Sequence, residues 1–368
     1  MAGRAAQRKL CQRPDADADA DADADAATRR SGGVAACSSG RPECGCGNVG
    51  VMSNDAARRP FRFSLQAAQA ESRREWVELV KRAEESGFDM IVTGDHLEDC
   101  LAPLIPLATA AEVSDRLRLG IMVLNNDFHH PSLLARDVAT LDLLSDGRME
   151  VGIGAGHSKP EYDRAGIAFK TARTRVARLE EAVVALRRLL AGKAVTVDGE
   201  HYRLTDERCE PPPVQAQIPV LVGGAGRRVH RIAARHADAV GFTGLGRVHD
   251  DGQRADPARF ALPLVDEDVE AVRTTAGDRL AHLEFQVLVQ AVAVTDDALG
   301  VAERISRSHL PSLTPEQIVD TPYLMVGSRD ALIEKLLEHR ERWGFSHYTV
   351  RREALGEFEP VIAELAGR

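Results

Sequence analysis

The chain has 368 residues, a formal net charge of −9 and a sequence pI of ≈ 5.8. That acidic balance argues against nucleic acid as the main partner, and no apolar run approaches the roughly 20 residues of a membrane span. With the unusual N-terminus set aside, about 310 residues remain, enough for one large core or two smaller ones.

Residues 15–26 read DADADADADADA. Period-2 alternation normally signals a strand, but Ala and Asp are poor strand formers and the repeat has no face to bury. Residues 1–58 are therefore expected to be a disordered, low-complexity extension, followed by one domain over 59–368. The stretch RRSGGVAAC at 29–37 lacks the apolar segment of a secretion signal. Cys37, Cys44 and Cys46 lack zinc-ligand spacing, and no His lies near them. The segment VMSNDAARRPFRFSLQ marks Met52 as an alternative natural start. Beyond residue 50 only Cys100 and Cys209 remain, which is no disulfide framework and fits a reducing cytoplasm.

From residue 60 short apolar runs alternate with helical periodicity. Phe61 to Leu65 reads as a strand. The stripe Trp76, Leu79, Val80, Ala83 reads as a helix closed by Gly87. A strand over Asp89 to Val92 and a helix over 102–114 come next. Leu117 to Leu124 is read as one strand, followed by a helix that Pro131 opens in its first turn. Met149 to Ile153 is a strand and 173–191 a long helix. Val195 to Leu204 reads as a hairpin around Asp198-Gly199. Strands at Pro219 to Val222 and Ala239 to Phe242 flank a helix that starts after Gly226. After an irregular stretch come a helix near 265–276, a strand over Leu283 to Val294 and another helix. A helix over 329–342, a strand at Ser346 to Val350 and a terminal helix finish the chain. Eight strands interleaved with helices predict a (β/α)8 barrel, with a doubly wound sheet as the alternative. In such a barrel the chemistry sits at the carboxyl ends of the strands.

One glycine-rich stretch needs its own reading. In VGIGAGHSKPEY, residues 151–162, Gly152, Gly154 and Gly156 alternate behind an apolar strand. A dinucleotide fingerprint needs G-x-G-x-x-G opening into a helix. The third glycine would fall on His157 or Lys159, and Pro160 and Gly166 interrupt before any long helix. The stretch is a flat strand end with something lying close to the backbone.

Taken together, GFDMIVTGDHL, LRLGIMVLNNDFHHPSLLARDVATLDLLSDGRMEVGIGAGHSKPEY, TRVARLEEAV, IPVLVGGAG, ADAVGF and YLMVGSRDALIEKLLEHRERWGFSHYTV resemble the bacterial luciferase-like monooxygenase superfamily. They span nearly all of residues 60–355 in family order. The nearest branch by resemblance is the one assigned to the deazaflavin coenzyme F420. The resemblance implies a TIM barrel that forms a homodimer, binds a flavin-type ring and transfers a hydride to or from a small organic substrate. FMN with molecular oxygen is the alternative chemistry, and a non-catalytic flavin-binding protein the second alternative.

The resemblance also implies roles for particular residues. His96 touches the reactive part of the ring as proton relay or substrate holder. Asp95 belongs to the same cofactor wall, although an Asp that only orders its loop is the plainer reading. Relatives carry a carboxylate acid where this chain has His157, so His157 is expected to meet substrate. Gly154, Ala155 and Gly156 let backbone approach the ring. Met122 and Val123 form a bulge behind it, with a non-prolyl cis bond between them. Glu161 and Tyr162 shape the pocket wall. Gly223, Gly224, Ala225 and Gly226 present free N–H groups at a helix start and hold the cofactor phosphate. Arg227, Arg228 and Arg231 follow and steer the anionic tail that distinguishes F420 from FMN. Residues 243–264 are a candidate lid. His130 is expected to pack at the start of its helix, and His230, His236 and His339 to be non-catalytic. No cluster has metal spacing and no nucleophile elbow is present.

Overall fold

The computed structural model describes residues 59–98, 100–245 and 257–368. The expected N-terminal extension and half of the expected lid, residues 246–256, lie outside them. Eight parallel strands form the centre: β1 (Arg62–Gln66), β2 (Met90–Thr93), β3 (Arg118–Ile121, resuming at Leu124–Asn125), β4 (Val151–Gly154), β5 (Val220–Gly223), β6 (Ala239–Phe242), β7 (Glu284–Leu288) and β8 (Phe345–Arg351). The hydrogen-bonded order runs β3-β2-β1-β8-β7-β6-β5-β4, and β4 then pairs with the resumed segment of β3 through Ile153–Leu124 and Gly154–Asn125. The sheet therefore returns to the strand from which it started, as a (β/α)8 barrel does.

Two strands differ from the sequence expectation. β3 is interrupted at Met122-Val123, whose peptide bond is cis, as the resemblance implied. The expected single strand over 283–294 is two: β7, then Ala291–Val294, which leaves the barrel to pair with Leu324–Gly327 in a separate two-stranded sheet. The alternation of QVLVQAVAV continues across this break, so periodicity cannot reveal it. The Gln290 N–H turns instead to Tyr323 O (2.8 Å). Two short helices, Lys159–Ala165 and Pro315–Asp320, were also not legible as helices. The hairpin is present as antiparallel Val195–Asp198 and Arg203–Glu207. Glu181 of the helix Ala172–Leu189 fixes its turn by accepting the N–H groups of Glu200, His201 and Tyr202.

Alternation along the strands separates an outer apolar layer from an interior that mixes charged and polar groups with a small apolar cluster of Met90, Val92 and Met122. Phe61, Phe63 and Tyr348 point outward and pack on Phe358 of the terminal helix Leu355–Leu365; the Phe63 and Phe358 rings are 5.9 Å apart. Each such fully buried side chain contributes about 1.5–3 kcal/mol. At the amino ends of the strands, inward charges tie the barrel together. Arg62 bridges Glu150 (2.7 Å) and Glu284 (3.0 Å), and His347 Nδ1–H faces Glu284 at 3.1 Å. Burial pushes the Glu284 carboxyl up, but His347 and Arg62 outweigh it and hold it well below the usual carboxylate range. This network lies at the end of the barrel that carries stability, which leaves the carboxyl mouth for chemistry.

Candidate active site

β2 delivers Asp95 and His96 to the mouth. The Asp95 carboxylate is buried and occupied. Its Oδ2 accepts the Asn125 N–H (2.8 Å) and His129 Nε2–H (2.9 Å), so it ties the β2 loop to the end of β3. This is the plainer of the two roles expected for Asp95. His96 is 45% exposed and is held from one side, where Nδ1 meets Glu161 Oε1 at 2.7 Å. A carboxylate can only accept, so Nδ1 carries the proton and the neutral ring keeps its lone pair on Nε2.

Glu161 is itself fixed by the helix Lys159–Ala165, with Pro160 in its first turn. It accepts the Leu97 N–H as well (3.0 Å). Burial raises its pKa, but the hydrogen bonds from His96 and the Leu97 N–H win and keep the carboxyl ionised below its ordinary range. His157 stands against His96, edge to face, with ring centroids 5.5 Å apart. It is exposed at the rim. Desolvation lowers its pKa, His96 and Arg175 add to this, and Glu161 opposes. Glu161 was read as pocket wall; the structure makes it the partner that orients His96. No local sequence signal joins the two, because Glu161 sits on the short helix Lys159–Ala165, 65 residues from His96.

The alternating glycines face one side chain, Val123. A Cβ on Gly154 would meet Val123 Cγ2 at 2.8 Å and Gly223 O at 2.9 Å; one on Gly223 would meet Val123 Cγ1 at 2.9 Å. On Gly152 it would strike Ile121 O and approach Val123. At Gly152, Gly154 and Gly223 the missing Cβ thus makes room for the residue after the cis bond. Within the chain itself, the space at Gly154 is therefore taken by Val123. Gly156 differs: its φ is +72°, and a Cβ would collide with the Tyr162 hydroxyl and Asn125 Oδ1. The Tyr162 hydroxyl donates to Asn125 Oδ1 (2.9 Å) and also lies near Asp127 Oδ2 (3.1 Å), and Arg178 holds Asp127 Oδ1 at 2.7 Å. Burial pushes the Tyr162 phenol up, so it stays protonated. Ala155 lies partly exposed between these two glycine settings.

Across the mouth, β5 ends in Gly223, Gly224, Ala225 and Gly226. Gly224 has φ +147° and Gly226 φ +104°, conformations that side chains rarely adopt. Gly226 caps the helix Arg227–His236 without any side-chain acceptor, and a Cβ there would meet open space. The first N–H groups of the helix therefore have no intrahelical partner and lie behind a glycine with open space beside it. His230 secures this loop from beneath: its Nε2 meets Gly224 O at 3.1 Å, and its Nδ1 is buried 3.6 Å from Asp268. Asp268 is paired in turn with Arg259. His230 is thus not merely a packing residue of its helix. Arg227, Arg228 and Arg231 are exposed on the first turns, with Arg227 3.5 Å from Glu267. His130 caps its helix by accepting the Ser132 N–H (3.3 Å). Among the described residues no group of three or more His, Cys, Asp or Glu is placed to hold a metal. No helix among them is long and apolar enough to cross a membrane.

A closed parallel barrel, with an oriented imidazole and an open glycine turn on its carboxyl rim, has the form of a (β/α)8 enzyme. Residues 59–347 match the model of the luciferase-like monooxygenase family, and the chain belongs to that family. An F420-dependent glucose-6-phosphate dehydrogenase of Beutenbergia cavernae is 27% identical over 285 residues, covering 72% of this chain and 83% of that protein. The enzyme of the same name from Nakamurella multipartita is 33% identical over 270 residues, 70% of this chain and 75% of its own. Among solved structures, the coenzyme F420-dependent tetrahydromethanopterin reductase from Methanopyrus kandleri superposes with a TM-score of 0.65 at 18% identity, covering 83% of this chain and 99% of that one, a likeness of fold.

Proposed function

We propose that this protein is an F420-dependent oxidoreductase that moves a hydride between the deazaflavin and a hydroxyl- or carbonyl-bearing small molecule in the cytoplasm. The observation that carries the reading is the pairing of an uncapped, open glycine turn at Gly224–Gly226 with an oriented imidazole at His96 on the same rim. The names of the relatives support F420 as the cofactor.

The residues present fit such a group. The cradle at Gly226 has room and unpartnered N–H donors for a phosphate. The rim between Val123, Gly156 and His96 offers an apolar wall beside a proton-bearing group. When bound, the cofactor supplies the two-electron hydride chemistry. The chain supplies the proton partner. Nε2 of His96 takes the proton of a substrate hydroxyl, or returns it to a carbonyl oxygen in the reverse direction. Glu161, ionised against Nδ1, stabilises the imidazolium that results. His157 stays neutral beside it and offers a hydrogen bond without adding a second positive charge.

The protein is proposed to work as a homodimer. Ile105 (72% exposed), Leu133 (55%) and Leu144 (60%) lie on the neighbouring helices Ile105–Val113 and Pro131–Leu144, an apolar outer face that a second copy would cover. Light scattering coupled to gel filtration checks this. The function is tested by titrating the protein with F420 and FMN, then following F420 reduction with glucose 6-phosphate and a panel of alcohols. Saturable F420 binding and turnover with one panel member are expected; FMN binding tighter than F420 would overturn the reading.

A further inference from the structure

The inward face of β8 carries His347, Thr349 and Arg351 in alternation. His347 and Thr349 are consumed inside the barrel by Ser64, Glu284 and Gln286. Arg351 is the uppermost of the three, at the carboxyl mouth. Its NH1 donates to Gln66 Oε1 (3.3 Å) and its NH2 to Gln290 Oε1 (2.8 Å). Both partners are neutral amides, themselves anchored: Gln66 Nε2 donates to Met122 O (3.1 Å), and Gln290 Nε2 to Thr243 O (3.3 Å). Among the described residues Arg351 forms no ion pair. Its sequence neighbour shows the contrast, because Arg352 is bound to Glu75 at 2.6 Å and to Gln69 O.

An arginine held in place by two amides keeps its full charge, and the fork still has unused N–H groups. The guanidinium is open to solvent at the rim, yet protein on its other sides desolvates it, which lowers its pKa; Glu353 opposes only through space. Among the described residues, this inward cation at the mouth of a chain of net charge −9 has no carboxylate partner. The strand order puts β1 alone between β8 and β2, the strand that delivers His96. Two strand spacings separate these ends, about 10 Å, the span of a small molecule with its reacting hydroxyl at one end and a charged group at the other.

We infer that Arg351 is a specificity-determining residue that receives an anionic group, a carboxylate or a phosphate, of the substrate whose hydroxyl meets His96. This rests on the reaction proposed above. The bidentate fork suits either oxyanion.

The test uses the full chain, alone and saturated with oxidised F420, titrated calorimetrically with inorganic phosphate and with malonate. Wild type should bind at least one of the two saturably. Arg351→Gln should weaken that binding tenfold or more and Arg351→Lys should recover part of it. F420 affinity should stay within about twofold in both variants. The anion preferred identifies the source, phosphate ester or carboxylate. Absence of anion binding to wild type, unchanged anion binding in Arg351→Gln, or a loss of F420 affinity in place of anion affinity would each overturn the inference. If wild type fails to bind F420, the proposed reaction falls, while the titrations without cofactor still decide whether Arg351 is an anion site.

Discussion

Glu161 and His96 are joined at 2.7 Å through Nδ1 of the imidazole, although 65 residues separate them in the chain. The pair fixes both the tautomer of His96 and the charge beside it. His96→Gln removes the proton partner and should lower kcat by about 10²–10⁴-fold. Glu161→Gln keeps the shape but offers no charge, so it should lower kcat by at least about tenfold while F420 affinity changes little. Its stability signature is separate. The folded pKa of Glu161 is depressed, so its contribution is present above the ordinary carboxylate pKa and is lost as pH falls through the folded value. The acid limb of the melting curve should be shallower in Glu161→Gln. Melting scans between pH 3 and 7 read this directly, and identical limbs would show that the pair contributes nothing to stability.

His157 should act on stability in the same direction for a different reason. Desolvation, then His96 and Arg175, depress its folded pKa. The folded state thus binds this proton less readily than the unfolded chain. Its contribution is present above the usual imidazole pKa, about 6.5, and falls away as pH drops below that toward the folded value. His157→Asn should narrow the gap between melting temperatures measured at pH 8 and pH 5.5. A gap equal to that of wild type would mean that the ring titrates as a solvated imidazole.

The barrel was legible because each βα unit has its own period and its own turn residues. The site was legible only where function coincides with a local motif. His96 follows a strand, and the Gly223–Gly226 turn opens a helix, so both can be read from neighbours in sequence. The Glu161–His96 bond joins a short helix to the loop after β2, and Arg351 gains its meaning from Gln66 on β1 and Gln290 just beyond β7. No periodicity encodes such distances. The packing of Val123 against Gly152, Gly154 and Gly223 likewise joins separate strands and leaves no local signal.

That packing makes a coupling prediction. Gly223→Ala places a methyl too close only to the Val123 and Leu221 side chains, with Gly241 Cα at an ordinary 3.9 Å, whereas Gly152→Ala also strikes the Ile121 carbonyl. Each single change should destabilise by about 1–3 kcal/mol through overpacking. Val123→Ala in the same chain should recover much of the loss from Gly223→Ala and little of that from Gly152→Ala, since backbone cannot be trimmed away. Urea denaturation of the single and double variants measures the coupling. Equal recovery at both positions would mean that Val123 does not fill this space.

The arginines after the glycine turn bear on how F420 is told from FMN. FMN ends at its phosphate, which the N–H groups at Gly224–Gly226 can satisfy. The resemblance gives F420 a further tail of several carboxylates, which must cross the surface of a net acidic protein. Arg227, Arg228 and Arg231 are exposed on the helix that starts there, so any contact is solvated and worth no more than a few-fold each. Screening should therefore weaken F420 more than FMN when salt is raised from about 0.05 to 0.5 M. Replacing all three arginines by Ala should remove most of that difference and leave FMN affinity nearly unchanged. Arg227 is also within 3.5 Å of Glu267, which competes for the same charge. Glu267→Gln frees it, and F420 binding at low salt should tighten by up to about threefold. Fluorescence titrations of wild type and the two variants at two salt concentrations provide the check. A salt response shared equally by both cofactors would place the tail away from this helix.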